Sequence, residues 1–462
     1  MAATIDLSLA SPMFRGLGPD ARDLLGVIAF FPQGINENLD WLFPTISDRR
    51  NVFDKFCVLS LTHRRGGFIT MLAPLRDYLR PEDPTASPLL HVTRECYFER
   101  LSVDLNPDRP GYEEARWITS DDVNVEHLLD VFTSIDANSD NVWDACVGFM
   151  EHLYWHKPRL VVLGPKIEGL PDSHPSKPNC MFELSRLFNS VGNYAERKRL
   201  LVHTLKIWRE RGDDFWIAST LRSLASTNHR LLLHKEGIQQ AEQSLEIFER
   251  LGRAYHQAQS LRQLAQLLHD DGQLDAAEAA ALRSIDLLPD EQFLACQVHH
   301  VLGEICRSKG EAEKAIEHYE IALRIADSFD WGHQQSRIFY SLAELFCDQG
   351  RLDGAHAHVE RAKLHAAGDL YYLGRAMELQ AMFWYEQGRL EEARSEVSRA
   401  ADVYEKLGAA KDVEDCRNLL QDIEEKTKRS VTCGGSDFDG ELPEAVLILT
   451  PANSQFSARG TE

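Results

Sequence analysis

The sequence predicts an all-α chain whose larger part is a solenoid of stacked helix pairs. That part is preceded by a small helix-rich domain and a helical linker. Three observations carry this. A short pattern recurs four times between Gln257 and Gly408, the copies are evenly spaced, and almost every segment has helical rather than alternating apolar periodicity. The copies are Gly272-Gln-Leu-Asp-Ala-Ala277, Gly310-Glu-Ala-Glu-Lys-Ala315, Gly350-Arg-Leu-Asp-Gly-Ala355 and Gly388-Arg-Leu-Glu-Glu-Ala393, with glycines 38, 40 and 38 residues apart. Small or apolar residues follow each last Ala at +4 and +7: Ala281 and Ser284, Tyr319 and Ala322, Val359 and Ala362, Val397 and Ala400.

Bulk composition sets the limits. The chain has 462 residues, 44% of them hydrophobic, enough for more than one core. A net charge of −22 opposes general affinity for nucleic acid or anionic membranes, so neither is expected as a partner. Nine scattered cysteines without a C-x-x-C read as buried thiols in a reducing compartment, and the expected location is cytoplasmic.

Residues 1–17 are an uninformative N-terminal segment. Over 18–95, Asp20 is placed to cap a helix bearing Leu24, Leu25, Val27, Ile28 and Phe30. Pro32-Gln-Gly34 is a turn, Asn38–Leu42 a short second helix, and Arg50–Leu61 a third. Gly66-Gly67 then introduces a strand over Phe68–Leu72, and a helix continues over Ala73–Leu79. Three helices followed by a Gly-led strand outline a winged-helix-like domain. Its nine Lys/Arg against ten Asp/Glu over residues 20–95 offer no basic face for DNA.

The helical linker spans 96–180. Asn106-Pro-Asp-Arg-Pro-Gly111 divides two helical pieces, and Ser120 or Asp121 is placed to cap the helix Val125–Ile135. Asp136-Ala-Asn-Ser-Asp140 mimics a calcium loop but has Asn141 and Val147 where Gly and Glu are needed, so a turn is expected. His152 and His156 share a face without a third metal ligand and read as a structural pair. Val161–Lys177, rich in Gly and Pro, reads as a rigid connector, and no Walker spacing occurs here or elsewhere. No catalytic residue, metal or cofactor is expected, and the chain is not expected to be an enzyme.

The repeat array covers 181–428. Two weaker units precede the clear copies: Gly192-Asn-Tyr-Ala with Arg197 in the Ala slot, and one with Glu236 in the Gly slot before Ala241, Leu245 and Phe248. Glycine supplies the positive φ of the turn between helices A and B, and the small residue five positions on permits their close crossing. Leu264-Ala265, Leu302-Gly303 and Leu342-Ala343 are the matching contacts of helix A. Lys411–Lys426, with Leu419 and Leu420 inward, closes the stack as a polar cap, and residues 429–462 are expected to be disordered.

This pattern resembles the tetratricopeptide repeat family, although the period exceeds 34 and a terminal Pro survives only at Pro289. The resemblance implies a right-handed superhelix with helices A lining the concave face. With the glycines at repeat position fifteen, positions 2, 5, 9 and 12 should face that groove. They are Gln259, Arg262, Gln266 and His269, then Gln297, His300, Glu304 and Arg307, then Arg337, Tyr340 and Glu344, then Arg375, Glu378, Met382 and Tyr385. Mixed charge and aromatic character fit a protein or peptide ligand. The Lys/Asn carboxylate clamp of chaperone adaptors is missing from these positions.

Leu17–Gly34, Phe68–Leu79, Ile118–Phe132 and Leu163–Pro171 also look like segments of fungal NB-ARC/NLR-like (STAND) proteins. In those proteins a winged helix and helical linker join an ATPase to repeats. The resemblance implies a signal-responsive switch in which repeats sense a ligand and the protein self-associates. The Walker residues are not in this sequence, and the family's Met-His-Asp sensor reads Met71-Leu72-Ala73, whose Leu72 cannot donate to ADP. The chain is therefore expected to be the regulatory and sensor half of such a protein, lacking the nucleotide-binding domain. A winged-helix transcriptional regulator, or an ATP-dependent switch completed by a longer form, stands as the alternative.

Overall fold

The computed structural model describes residues 2–18, 20–46, 48–102, 116–157, 159–288, 291–366, 370–407 and 409–433. Pro289, the Asn106–Gly111 segment and the tail from Gly434 lie outside them. The fold is helical almost throughout and divides into two compact units, Met1–Ser190 and Val191–Glu462.

The N-terminal unit opens with α1 (Ala2–Leu9), α2 (Pro12–Arg15) and α3 (Ala21–Phe30). Leu24, Leu25, Val27 and Ile28 of α3 are completely buried. Asp20 occupies the N-cap position, but its side chain makes no capping bond. There follow β1 (Ile35–Asn36), α4 (Arg49–Val58), β2 (His63–Arg65), β3 (Phe68–Thr70) and α5 (Ala73–Leu79). The three strands form an antiparallel sheet in the order β1-β3-β2, with Ile35 opposite Ile69 and Arg65 opposite Phe68 across the Gly66-Gly67 turn. Only β3 was legible in the sequence, because β1 and β2 are too short to show alternation.

The expected helix over Asn38–Leu42 does not form. Asn36 Oδ1 captures the amide of Asn38 at 3.1 Å, and Arg49 takes the carbonyls of Leu39 and Leu42 at 2.8 and 3.0 Å. With those acceptors occupied by a side chain, the segment is a series of turns.

The unit continues through α6 (Pro88–Leu101), α7 (Arg116–Ile135), α8 (Asp140–His156), α9 (Gly164–Gly169) and α10 (Lys177–Ser190). Ser120 and Asp121 lie inside α7 rather than capping it. Asp121 is buried, accepting from Tyr97 Oη at 2.5 Å and Asn124 Nδ2 at 2.8 Å, while Asn124 also grips Gln33 and Gly34 at 3.0 and 2.8 Å. A buried network thus ties α7 to the turn after α3. Residues 136–139 form the turn between α7 and α8, whose carbonyl at Ala137 accepts from the Trp143 indole at 2.8 Å. The His152 and His156 rings meet in a tilted contact at 4.5 Å, and His152 Nε2 meets Thr119 Oγ1 at 3.0 Å. The connector Val161–Lys177 contains the short helix α9, and Lys166 ties it to Asp130. The helix carrying Met181, counted with the array in the sequence, packs on α8 and α9 in this unit.

The second unit is α11 (Tyr194–Arg211) followed by five A/B pairs. These are α12 (Asp214–Arg230) with α13 (His234–Arg250), α14 (Ala254–Asp270) with α15 (Leu274–Leu287), α16 (Gln292–Ser308) with α17 (Ala312–Ser328), α18 (Gly332–Asp348) with α19 (Leu352–His365), and α20 (Leu370–Glu386) with α21 (Leu390–Leu407). Gly272, Gly310, Gly350 and Gly388 have φ of 81°, 77°, 69° and 76°, which a Cβ would strain. Ala277, Ala315, Ala355, Ala393 and all eight residues at +4 and +7 are completely buried at the crossings. Hydrogen bonds join A to B at a constant separation: Ser284 Oγ to the Ala258 carbonyl at 2.7 Å and Ser336 Oγ to that of Ala362 at 2.9 Å.

The pair α12/α13 corrects the expected register. Leu232, at φ 58°, holds the glycine slot, and buried Gly237 is the small residue five positions on. Ala241 and Ser244 then match Ala281 and Ser284, while Glu236 is exposed and pairs with Lys198 at 2.9 Å. A leucine in a left-handed turn hid the repeat from sequence inspection. The cap α22 (Ala410–Cys433) buries Val413, Cys416 and Ile423, with Leu419 and Leu420 only partly covered, and its helix runs five residues beyond the expected boundary at 428.

Candidate functional site

The curvature of the second unit follows from which helices touch. Successive A helices pack directly on one another, α12 on α14, α14 on α16, α16 on α18 and α18 on α20, with no comparable packing between successive B helices among the described residues. B helices are instead spanned by long charged side chains: Lys198–Glu236 at 2.9 Å, Arg283–Glu249 at 2.5 Å and Lys363–Glu396 at 2.7 Å. Closer A–A spacing places the A helices on the inner side of the curve. The array curls far enough to bring its ends together. Arg230 of α12 stands 5.0 Å from the Tyr371 ring of α20, and a Cβ on Gly192 would lie 1.8 Å from the Leu407 carbonyl oxygen.

The fifteen groove residues read from the sequence all lie on A helices, and thirteen of them are half-buried. His300 and Tyr340 are buried, so they support the face rather than present themselves to a ligand. Burial holds the His300 imidazole down at about 4, and its Nε2 bonds Ser341 Oγ at 2.9 Å.

Most of the remainder are tied to side chains on adjacent helices. Gln266 donates to Glu304 at 3.1 Å. Arg307 bridges Glu344 at 3.2 Å and Asp348 at 3.1 Å. Arg375 donates to Tyr340 Oη at 2.7 Å, which donates to Glu344 at 2.9 Å, and Tyr404 Oη bonds Glu378 at 3.1 Å. Lys426 of the cap lies 4.1 Å from the Tyr385 ring. Gln259, Gln297 and Met382 complete the face with uncharged side chains.

Corrected register adds residues that sequence reading missed. With Leu232 in the glycine slot, Arg222 and His229 take positions 5 and 12 of α12, so the face begins one pair earlier. The signal was present in Gly237-x3-Ala241-x2-Ser244, which repeats Ala277-x3-Ala281-x2-Ser284. Charge is mixed along the helix axes: Arg222, Arg262, Arg337 and Arg375 occupy positions 2 and 5 together with Glu378, and Glu304 and Glu344 at position 9 are followed by Arg307 at position 12.

One arrangement resembles catalytic machinery. Ser308 Oγ lies 2.8 Å from His269 Nε2, His269 Nδ1 lies 2.8 Å from Asp270 Oδ1, and His229 Nε2 lies 2.5 Å from Asp270 Oδ2. Burial opposes a charge on His269, but the Asp270 hydrogen bond and nearby Glu304 outweigh it and raise its pKa. Burial likewise opposes the Asp270 carboxylate, and the two imidazoles overcome it and hold its pKa well below the usual range. A hydrolase would also need donors for an oxyanion. The amides beside this cluster are spent in local bonds: Lys309 to Ile305, Gly310 to Arg307, Asp271 to Leu267 and Gly272 to His269. Ser308 also ends α16, where the helix dipole disfavours negative charge. The cluster is an inter-helix clasp.

Comparison with known proteins agrees with the repeat architecture. Residues 216–290 and 294–363 match the tetratricopeptide repeat family. No curated protein matches the sequence. Among solved structures, one similar fold is a signal transduction ATPase with numerous domains (STAND) protein with a tetratricopeptide repeat sensor from Pyrococcus horikoshii. It is 15% identical with a TM-score of 0.53, and the match covers 91% of this chain and 64% of that one. Others are a Rap protein complexed with competence and sporulation factor (15% identity, TM-score 0.48, 72% and 99% covered) and aspartyl phosphate phosphatase F from Bacillus subtilis (12%, 0.41, 75% and 97%). At these identities the likeness concerns fold. The chain is a tetratricopeptide-repeat-like solenoid with a helical N-terminal unit, and no helix among the described residues is long and apolar enough to cross a membrane.

Proposed function

We propose that the chain is a non-enzymatic sensor module that binds a peptide or protein segment along the concave face of its repeats. The observation that carries this reading is that face itself. Five successive A helices present half-buried polar, charged and aromatic side chains along one continuous surface, with adaptable Gln259, Gln297 and Met382 among them. An extended segment running across the helices would meet a new set of contacts at each repeat.

The N-terminal unit fits the same reading. Its order of α3, β1, α4, β2 and β3, with β3 central in the sheet, supports a winged-helix domain in an NLR-like signalling protein. The fold of the Pyrococcus horikoshii STAND protein with a repeat sensor supports that reading. Arg64 on the β2 strand is engaged by Glu37 at 2.9 Å and Asp54 at 2.7 Å, which favours an internal role over DNA contact. A cytoplasmic location and self-association on sensing belong to this proposal.

The test is selection from a random peptide library on the intact chain, followed by Gln297→Trp. A bulky ring at the centre of the face should abolish binding of the selected peptides while circular dichroism stays unchanged. Arg394→Trp, at an exposed site on α21, should leave binding intact. Peptides that bind both variants as well as the parent would remove the concave face from the proposal.

A further inference from the structure

Five helix pairs bring the array back upon itself. The last residue of α12, Arg230, stands 5.0 Å from the ring of Tyr371 in the first turn of α20. Gly192, just before α11, packs against the end of α21. Glycine is required there twice over: its φ is 77°, and a Cβ would lie 1.8 Å from the Leu407 carbonyl oxygen. Gly388 makes the same kind of turn, at φ 76°, with open space where a Cβ would stand. Gly192 therefore records a contact between the two ends that the repeat pattern does not itself demand.

The curl also sets the width of the concave side. Five helix axes about 9 Å apart, closed into a ring, lie roughly 8 Å from its centre. Helices about 5–6 Å in radius then leave a clearance of only about 2–3 Å. An extended peptide needs roughly 5 Å by 10 Å, the spacings of strands and of stacked sheets. Burial agrees: the face carries long charged side chains, among them Arg262, Glu304, Arg307 and Arg337, yet none of its fifteen residues is exposed. A segment of chain can reach them only if the ring widens. The junction of the ends is the place for it to part, because α12 and α20 lack, among the described residues, the packing that joins successive A helices.

We propose that the Arg230–Tyr371 and Gly192–Leu407 contacts form a latch that holds the concave face closed, and that a peptide occupies that face when the two ends separate. The proposal rests on the peptide-binding reading of the face and adds how access to it is controlled. Peptide and latch are then antagonists, and the closed spiral lowers apparent affinity in proportion to the fraction of chains that are open.

The experiment uses the intact chain carrying Gln297→Cys at the centre of the face. Fluorescein maleimide is the probe, and peptide mapping reads labelling at position 297 apart from the native thiols. Labelling should be slow, and Arg230→Gln should speed it roughly two- to thirty-fold, the worth of one cation–π contact expressed as an opening equilibrium. Tyr371→Leu serves as a second variant with the same expected effect and no change of charge, and Arg394→Gln, on the outer surface, controls for the lost charge. Gly192→Ala should also speed labelling, whereas Gly388→Ala, which strains the same kind of turn without meeting another helix, should not. Fluorescein-labelled peptides from the library selection, followed by anisotropy, should bind Arg230→Gln and Tyr371→Leu more tightly than the parent by a similar factor. Labelling equally fast in parent and variants, or raised equally by Gly192→Ala and Gly388→Ala, would overturn the latch. So would affinities that Arg230→Gln leaves unchanged or weakens among peptides that Gln297→Trp blocks. Selected peptides that ignore Gln297→Trp would instead remove the concave face as their site, while the labelling rates, which need no peptide, still decide whether the ends hold it closed.

Discussion

Replacing Gly303 with alanine places a methyl group against the Tyr319 ring, because a Cβ built on Gly303 would lie 2.4 Å from Tyr319 Cε1. In the neighbouring pair the same two positions are Ala265 and Ala281, both fully buried, so size has been exchanged across the crossing. Overpacking of this kind costs about 1–3 kcal/mol, while alanine for glycine in a helix interior returns about 1 kcal/mol. Gly303→Ala alone should therefore destabilise the α16/α17 pair by up to about 2 kcal/mol. Tyr319→Ala alone should cost about 3–5 kcal/mol, as for other large buried rings. With the ring gone the clash disappears, and adding Gly303→Ala to Tyr319→Ala should stabilise by about 1 kcal/mol. The coupling between the sites is then about 1–3 kcal/mol. Because the protein has two units and a locally stacked core, native-state hydrogen exchange of α16 and α17 amides is the suitable measure. Additive effects within about 0.5 kcal/mol, or a stabilising Gly303→Ala in the parent, would refute the packing argument.

Leu264→Ala and Leu342→Ala should each cost about 2–5 kcal/mol by native-state hydrogen exchange of their own helix pairs, since both leucines are buried. The His269–Asp270 clasp should stabilise the array over a defined pH range. The His269 share is present below its unfolded value near 6.5 and fades as pH rises through its raised folded value. The Asp270 share is present above its unfolded value near 3.9 and fades as pH falls through its lowered one. Asp270→Asn should lower the His269 midpoint in a proton NMR titration, and an unmoved midpoint would contradict the clasp. In the N-terminal unit, burial lifts the Asp121 carboxyl to about 7 despite bonds from Tyr97 and Asn124. Its contribution is therefore full below about pH 4 and is lost as pH rises toward 7. Asp121→Asn should flatten that fall in a Tm series from pH 4 to 8.

The sequence by itself determined the repeat. Glycine for a left-handed turn and alanine at a crossing are local requirements, imposed anew in each pair by backbone geometry and side-chain volume. Gly272, Gly310, Gly350 and Gly388 therefore carried the register without any knowledge of distant contacts. The same logic failed at Leu232, which tolerates the left-handed turn without being glycine, and at Asn38–Leu42, where Arg49 takes the carbonyls a helix would need. It also placed the fifteen expected residues on A helices but did not set their state. Whether an arginine on those helices is neutralised depends on side chains about 35 to 40 residues away, brought near by the stacking of successive A helices. Arg375 meets Tyr340 and Glu344, while Arg262 has no hydrogen bond or ion pair among the described residues. Spacing alone cannot distinguish these two arginines. Only the tertiary structure decided which partners each of these side chains meets.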